Sequence, residues 1–236
     1  MSEAPLRRRQ TLDAGRPWIF GANARKRGEV AGKSKSVIPC WHASYSRGRQ
    51  CGTRRPMTDQ ESLLAAIHES VELVPYDPAW PPAFEEERWR LLSLFPSAFV
   101  AIEHIGSTAI PGMRAKPIVD ILAGVESLTG VDALAARLCE VGYATSAEFN
   151  ASLSDRKWFM RWAHGRRTHH LHVVVHDGGI WRQRLAFRDR LRVDPQAAAR
   201  YERLKARLAA EHRDDREAYT DAKADFVQSI VAGVLW

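Results

Sequence analysis

Residues 103–122 read Glu-His-Ile-Gly-Ser-Thr-Ala-Ile-Pro-Gly-Met-Arg-Ala-Lys-Pro-Ile-Val-Asp-Ile-Leu, and they hold the side chains best suited to chemistry. Gly106 lets a backbone approach closely, and Ser107 offers both a hydroxyl and an N–H to an anion. Asp120 follows inside an otherwise apolar run. A carboxylate there is costly to bury unless it meets a metal, a cation or several donors. Lys116 is a nearby counter-charge. Two readings follow: a metal–nucleotide site, or an ion pair of Asp120 with Lys116 or Arg114 that only orders the loop. The separation of Gly-Ser from Asp suits the first.

His170 and His172 lie two apart in an apolar run, so on a strand both face the side that Val174 faces. Two imidazoles on one face can ligate a transition metal or bind phosphate, or they can form a polar sheet edge. Tyr201 and Lys205, and again Tyr219 and Lys223, are spaced by one helical turn. The tyrosines fall on apolar stripes and read as core. The lysines either reach phosphates or snorkel past their tyrosines to solvent. Arg188 and Asp189 read as a helix-packing ion pair rather than a substrate clamp.

Positioning these residues requires a scaffold of strands and helices. Asp77-Pro78 reads as an N-cap with Pro at the first helical position, opening a helix over 78–95. Its stripe is Trp80, Phe84, Leu91, Leu92 and Phe95. Strands are expected at 99–105 and 118–125, a helix at 130–141, and strands at 143–149, 157–162 and 169–175. Helices follow at 179–192, 196–211 and 214–234, and a short one precedes at 60–73. Helices, mixed strands with one crossover helix, then helices make an α+β domain: a mixed β-sheet with a C-terminal helical part.

The 236 residues are 45% hydrophobic and 27% charged, enough for a real core. No run of about 18 apolar residues occurs, so a membrane-spanning helix is not expected. Three cysteines (Cys40, Cys51 and Cys139) make no disulfide framework and point to a reducing cytoplasm. The net charge of +7 is unevenly spread. Residues 1–56 carry 13 basic and 3 acidic residues, and residues 57–236 carry 22 and 25. The basic pI therefore gives nucleic-acid binding by the body no support. Residues 1–56 lack apolar periodicity and read as a disordered basic segment or a mis-assigned start, with Met57 the natural beginning. Within them, Gly28–Ser34 has three residues between glycines where a phosphate loop needs four. Arg7-Arg8-Arg9 is not followed by the apolar stretch of an export signal. Cys40, His42 and Cys51 lack a fourth metal ligand at regular spacing.

The string from His104 to Gly112, with Lys116-Pro117-Ile118-Val119-Asp120-Ile121, resembles the signature of the GrpB family. Asp77–Trp80, His170–Val174, Phe187–Arg192, Tyr201–Lys205 and Tyr219–Lys223 extend the likeness from about residue 72 to the C-terminus. The resemblance implies a GrpB domain over 57–236 with a nucleotidyltransferase-like core. That superfamily follows a Gly-Ser turn with an Asp-x-Asp pair and a later carboxylate, which hold Mg²⁺ against a nucleoside triphosphate. It implies metal-dependent nucleotidyl transfer to a small acceptor, with Mg²⁺ or Mn²⁺ on Asp120. Gly106, Ser107, Lys116, His170, His172 and Lys205 would line the nucleotide. Related domains are appended to some bacterial dephospho-coenzyme A kinases. The sequence departs from the pattern at Leu122, which stands where the paired carboxylate belongs, and the later strand carries His170 and His172 without an Asp. The alternative is therefore a non-catalytic nucleotide-binding or protein-interaction domain of the same fold.

Overall fold

The computed structural model describes residues 70–163 and 166–232. The expectations for residues 1–56 and for most of the 60–73 helix lie outside the described residues. The described end of the latter, residues 70–73, is not helical, and the Val71 N–H donates to the Arg213 carbonyl (2.8 Å).

Helix α1 (Trp80–Leu94) starts two residues later than expected. The Asp77 carboxylate accepts from the Ala79 N–H (2.8 Å) and shapes the entry turn, while Pro81 and Pro82 occupy the first turn, where no N–H is missed. Strand β1 (Ala101–Ile105) leads through Gly106 into a single 3₁₀ turn at Ser107–Ala109. Strand β2 (Val119–Val125), helix α2 (Val131–Glu140) and strand β3 (Tyr143–Ala144) follow. The strand expected over 143–149 is cut to two residues. Ser146 accepts from the Phe149 N–H (3.1 Å) and caps helix α3 (Ala147–Ser152), so its local hydrogen bond wins over further pairing. Strands β4 (Arg156–Ala163) and β5 (Arg166–Val175) complete the sheet.

The strand order is β1-β2-β5-β4-β3. Only β2 and β5 pair in parallel; the other neighbours are antiparallel. The sheet is thus mixed, and the α+β reading holds. One face packs on α1 and α2 through Phe84, Leu91, Ile121, Leu138, Leu171 and Val173. The opposite face carries α3 at one end, where Trp158 and Met160 meet Phe149. At the other end it meets helix α4 (Gly179–Val193), where Ile105, Leu122, Val174 and Trp181 pack together. Helices α5 (Pro195–Glu211), α6 (Arg216–Asp221) and α7 (Ala224–Ala232) finish the fold. The single helix expected over 214–234 is broken between α6 and α7, at Ala222 and Lys223. Phe187, Leu191, Tyr201, Val227 and Val231 clamp the helical part onto the Ile110–Met113 loop. Helices α4 to α7 therefore close over the sheet beside the Gly-Ser turn. Among the described residues, no helix is long and apolar enough to cross a membrane.

Candidate functional site: a basic cavity over a carboxylate and two histidines

Register builds the centre of the site. Asp120 on β2 lies opposite Ile105 on one side and His170 on the other, and His172 lies opposite Leu122. All of these point to the face covered by α4–α7, as alternation along a strand requires. His170 Nδ1 sits 3.0 Å from Asp120 Oδ1, and His172 Nε2 lies 3.9 Å from the same oxygen. The expected juxtaposition of the two histidines with Asp120 is thus present. The alternative pairing of Asp120 with Lys116 or Arg114 is absent. The Arg114 guanidinium donates to the Leu73 carbonyl instead, and the Lys116 ammonium lies over the Tyr219 ring.

Gly106 sits at φ +72° and ψ −170°, a combination open to glycine and costly for other residues. A Cβ at this position would overlap the Asp120 carboxylate, so the glycine is needed for the turn to pass over it. The Asp120 side chain remains 25% exposed, toward a cavity of about 130 Å³. Gly106, Ser107, Lys116, His170 and Lys205 line that cavity together with Arg184, Arg216, Tyr219 and Lys223. His172 lies behind this wall, against the carboxylate.

The electrostatics are lopsided. Five basic side chains, Lys116, Arg184, Lys205, Arg216 and Lys223, share the cavity with one carboxylate. Lys205 does not snorkel as the common pattern suggests. It is 1% exposed, donates to the Arg114 carbonyl and lies 5.1 Å from the Tyr201 ring centre. Lys223 lies 3.9 Å from the Tyr219 ring centre. Burial lowers the Lys205 ammonium to about 7, with Glu202 opposing and Arg114 adding to the shift. Burial, and then Lys205, lower Lys223 to about 7. Burial pushes Lys116 well below its ordinary value, with Arg216 and Lys223 adding repulsion. Burial would raise the Asp120 carboxyl, but its contacts with His170 and His172 outweigh that and hold it well below the usual carboxylate range. Burial, with Arg184 nearby, lowers His172 to about 3, so its imidazole is neutral at pH 7. Lysines poised to lose their protons beside a cavity mark a place where an anion would relieve stored repulsion.

The residues do not suit the pair of Mg²⁺ ions that the nucleotidyltransferase pattern implies. Leu122 is fully buried among Ile105, Val174 and Trp181 where the second carboxylate would stand. Glu103, the register partner of Leu122 on β1, gives its carboxylate to Arg188 (2.7 Å). Arg188 also binds Asp189 (2.7 Å) and the His104 carbonyl (3.0 Å), so this arginine is a structural tie, as its sequence neighbours suggest.

Sequence reading named Asp120, Gly106, Ser107, Lys116, His170, His172 and Lys205, and the structure brings all seven to this centre. It missed Arg184 and Arg216, which come from α4 and α6 without a local pattern. It paired Lys223 with Lys205 as a lysine that either reaches phosphate or snorkels to solvent, and Lys223 lines the cavity.

Similarity to known proteins runs over the same region. The chain is 35% identical over 174 residues to UPF0157 protein YqkA of Bacillus subtilis, across 72% of this chain but only half of that protein. It is 36% identical to Glutamate-rich protein GrpB of Alkalihalophilus pseudofirmus, covering 72% of this chain and 98% of that one. A dephospho-CoA kinase of Mycolicibacterium paratuberculosis is 32% identical over 71% of this chain and 47% of its own length. The crystal structure of conserved protein GrpB from Enterococcus faecalis superposes with a TM-score of 0.61 at 36% identity, covering 69% of this chain and 96% of that one. The family described as GrpB protein matches residues 70–232, the span that contains every element of the site, and the chain belongs to the GrpB family.

Proposed function

We propose that the cavity beside Asp120 binds a phosphate-bearing small molecule, with nucleoside di- and triphosphates as the leading class. The observation that carries this reading is the convergence of Lys116, Arg184, Lys205, Arg216 and Lys223 on one cavity. Charge-assisted hydrogen bonds from lysine and arginine are the strong contacts available to phosphate oxygens. The Ser107 hydroxyl and the backbone of the Gly106 turn supply neutral donors at the rim. Tyr201 and Tyr219 brace the lysines by cation–π contact and so lower the cost of ordering them. The match to part of a dephospho-CoA kinase agrees with a phosphorylated ligand.

A second reading is metal-dependent nucleotidyl transfer to a small acceptor. The observation that favours it is the ionised Asp120 carboxylate directly under the Gly-Ser turn, where a triphosphate held by the basic residues would end. Leu122 counts against a two-ion mechanism of that kind. We propose the cytoplasm as the place of either activity.

A thermal-shift screen of nucleoside mono-, di- and triphosphates, with and without Mg²⁺ or Mn²⁺, tests both readings. Stabilisation that grows with phosphate number supports binding. Release of pyrophosphate in the presence of metal and candidate acceptors supports transfer. No stabilisation by any phosphate compound, with or without metal, would refute both.

A further inference from the structure

We infer that Asp120, His170 and His172 form a binding site for one transition-metal ion of the Zn²⁺, Co²⁺ or Mn²⁺ type, distinct in preference from Mg²⁺. One ligand atom from each residue lies within 4.8 Å of the other two. Among the described residues, this is the group of three histidine, cysteine or carboxylate side chains close enough to share an ion.

The backbone imposes the arrangement. His170 and His172 leave one face of β5 two residues apart, and Asp120 stands beside His170 on the parallel neighbour β2. Metal–nitrogen bonds of about 2.0–2.1 Å at a tetrahedral angle place donor atoms about 3.3 Å apart. The separations of 3.0 Å and 3.9 Å from Asp120 bracket that spacing, and the two imidazole donors lie within 4.8 Å of each other, so imidazole rotation would close the ligand set on an ion.

Donor chemistry sets the preference. Two imidazoles and one carboxylate suit zinc, cobalt or manganese, whereas Mg²⁺ takes oxygen ligands and gives up its waters reluctantly. Three protein ligands leave a position open toward the cavity, the usual plan of a reactive rather than structural metal. The three residues make up one ligand set, enough for a single ion.

The inference shares the cavity with the phosphate reading without resting on it, because metal uptake is read here without any phosphate ligand. The full chain, stripped with chelator, is titrated with Co²⁺ and followed by visible absorption and bound-metal analysis. One Co²⁺ per chain is expected, with the intense d–d bands of a four- or five-coordinate ion. His172→Gln and Asp120→Asn should each weaken uptake at least tenfold, and a tenfold excess of Mg²⁺ should not displace the ion. X-ray absorption on Co²⁺-loaded wild type counts imidazole ligands without any substitution, and two are expected. Absence of Co²⁺ uptake, a spectrum without imidazole ligands, or equal displacement by Mg²⁺ would overturn the assignment. Pyrophosphate binding by the chelator-treated protein is measured separately, so either proposal can fail alone.

Discussion

Replacing Asp120 with asparagine separates what the carboxylate does for the fold from what the basic residues do for a ligand. Its charged hydrogen bond with His170 is worth about 1.5–3 kcal/mol, and an amide oxygen in the same place keeps about half of that. Removing the lone carboxylate from among five basic side chains, of which Arg184 and Arg216 are charged at pH 7, costs about 1 kcal/mol more, since those charges then lose partial compensation. The expected loss is about 2–2.5 kcal/mol. In a domain of this size that lowers the melting temperature by about 4–10 °C. Chemical denaturation of wild type and Asp120→Asn measures it. The Asp120 carboxyl titrates below its unfolded value, so its stabilisation is complete above the ordinary carboxylate range and fades as pH falls below it. The gap between wild type and variant should therefore close under acid conditions. In chelator, the same variant should bind pyrophosphate more tightly. It removes roughly 1 kcal/mol of repulsion from the cavity, about fivefold in affinity. A variant as stable as wild type at pH 7, or one that loses pyrophosphate binding in chelator, would refute this reasoning.

Gly106→Ala should cost about 1–3 kcal/mol from backbone strain alone, with the clash against Asp120 adding to it, as read by urea denaturation. Glu87→Gln should lower stability by about 3 kcal/mol, because buried Glu87 accepts from Tyr143 (2.7 Å) and pairs with Arg90 (2.8 Å) and Arg161. It should leave pyrophosphate affinity unchanged, since α1 packs on the opposite face of the sheet. Lys205 falls from 10.5 to about 7 on folding, so below pH 7 the folded state bears a charge it disfavours. That penalty is relieved as pH rises from about 7 toward 10.5. Denaturation at pH 7 and 9.5 should show wild type gaining stability relative to Lys205→Met over that interval.

The sheet and the centre of the site were legible in the sequence because both rest on a period of two. The apolar runs around Asp120 and His170–Val174 declare buried strands, and alternation alone puts the two histidines on one face. Pairing of β2 with β5 then brings them to Asp120, an outcome that the resemblance anticipated and that composition did not. The region after Tyr143 was misread because Thr145, Ser146 and Phe149 continue a strand-like composition. The Ser146 cap that starts α3 is a side-chain effect that propensity underweights. The fate of Lys205 and Lys223 was hidden for a different reason. Helical spacing shows which residues share a face with Tyr201 and Tyr219, but not that α4–α7 fold back over the Gly-Ser turn and cover that face. Arg184 and Arg216 carry no local signal, since tertiary packing brings their helices to the cavity: Phe187 on Ile110 and Met113 for α4, and Tyr219 on Val71 and Leu208 for α6.

The most direct test of the phosphate reading is calorimetric titration of pyrophosphate into chelator-treated full-length protein at pH 8, in buffers of different ionisation enthalpy. Lys205 and Lys223 sit near 7, so a bound polyanion should draw protons onto them, and the heat should vary with the buffer in the direction of net proton uptake. The Lys205→Met, Lys223→Met double variant should bind at least tenfold more weakly and lose that dependence. Absence of binding to wild type, or equal affinity and equal proton uptake in the double variant, would contradict the account.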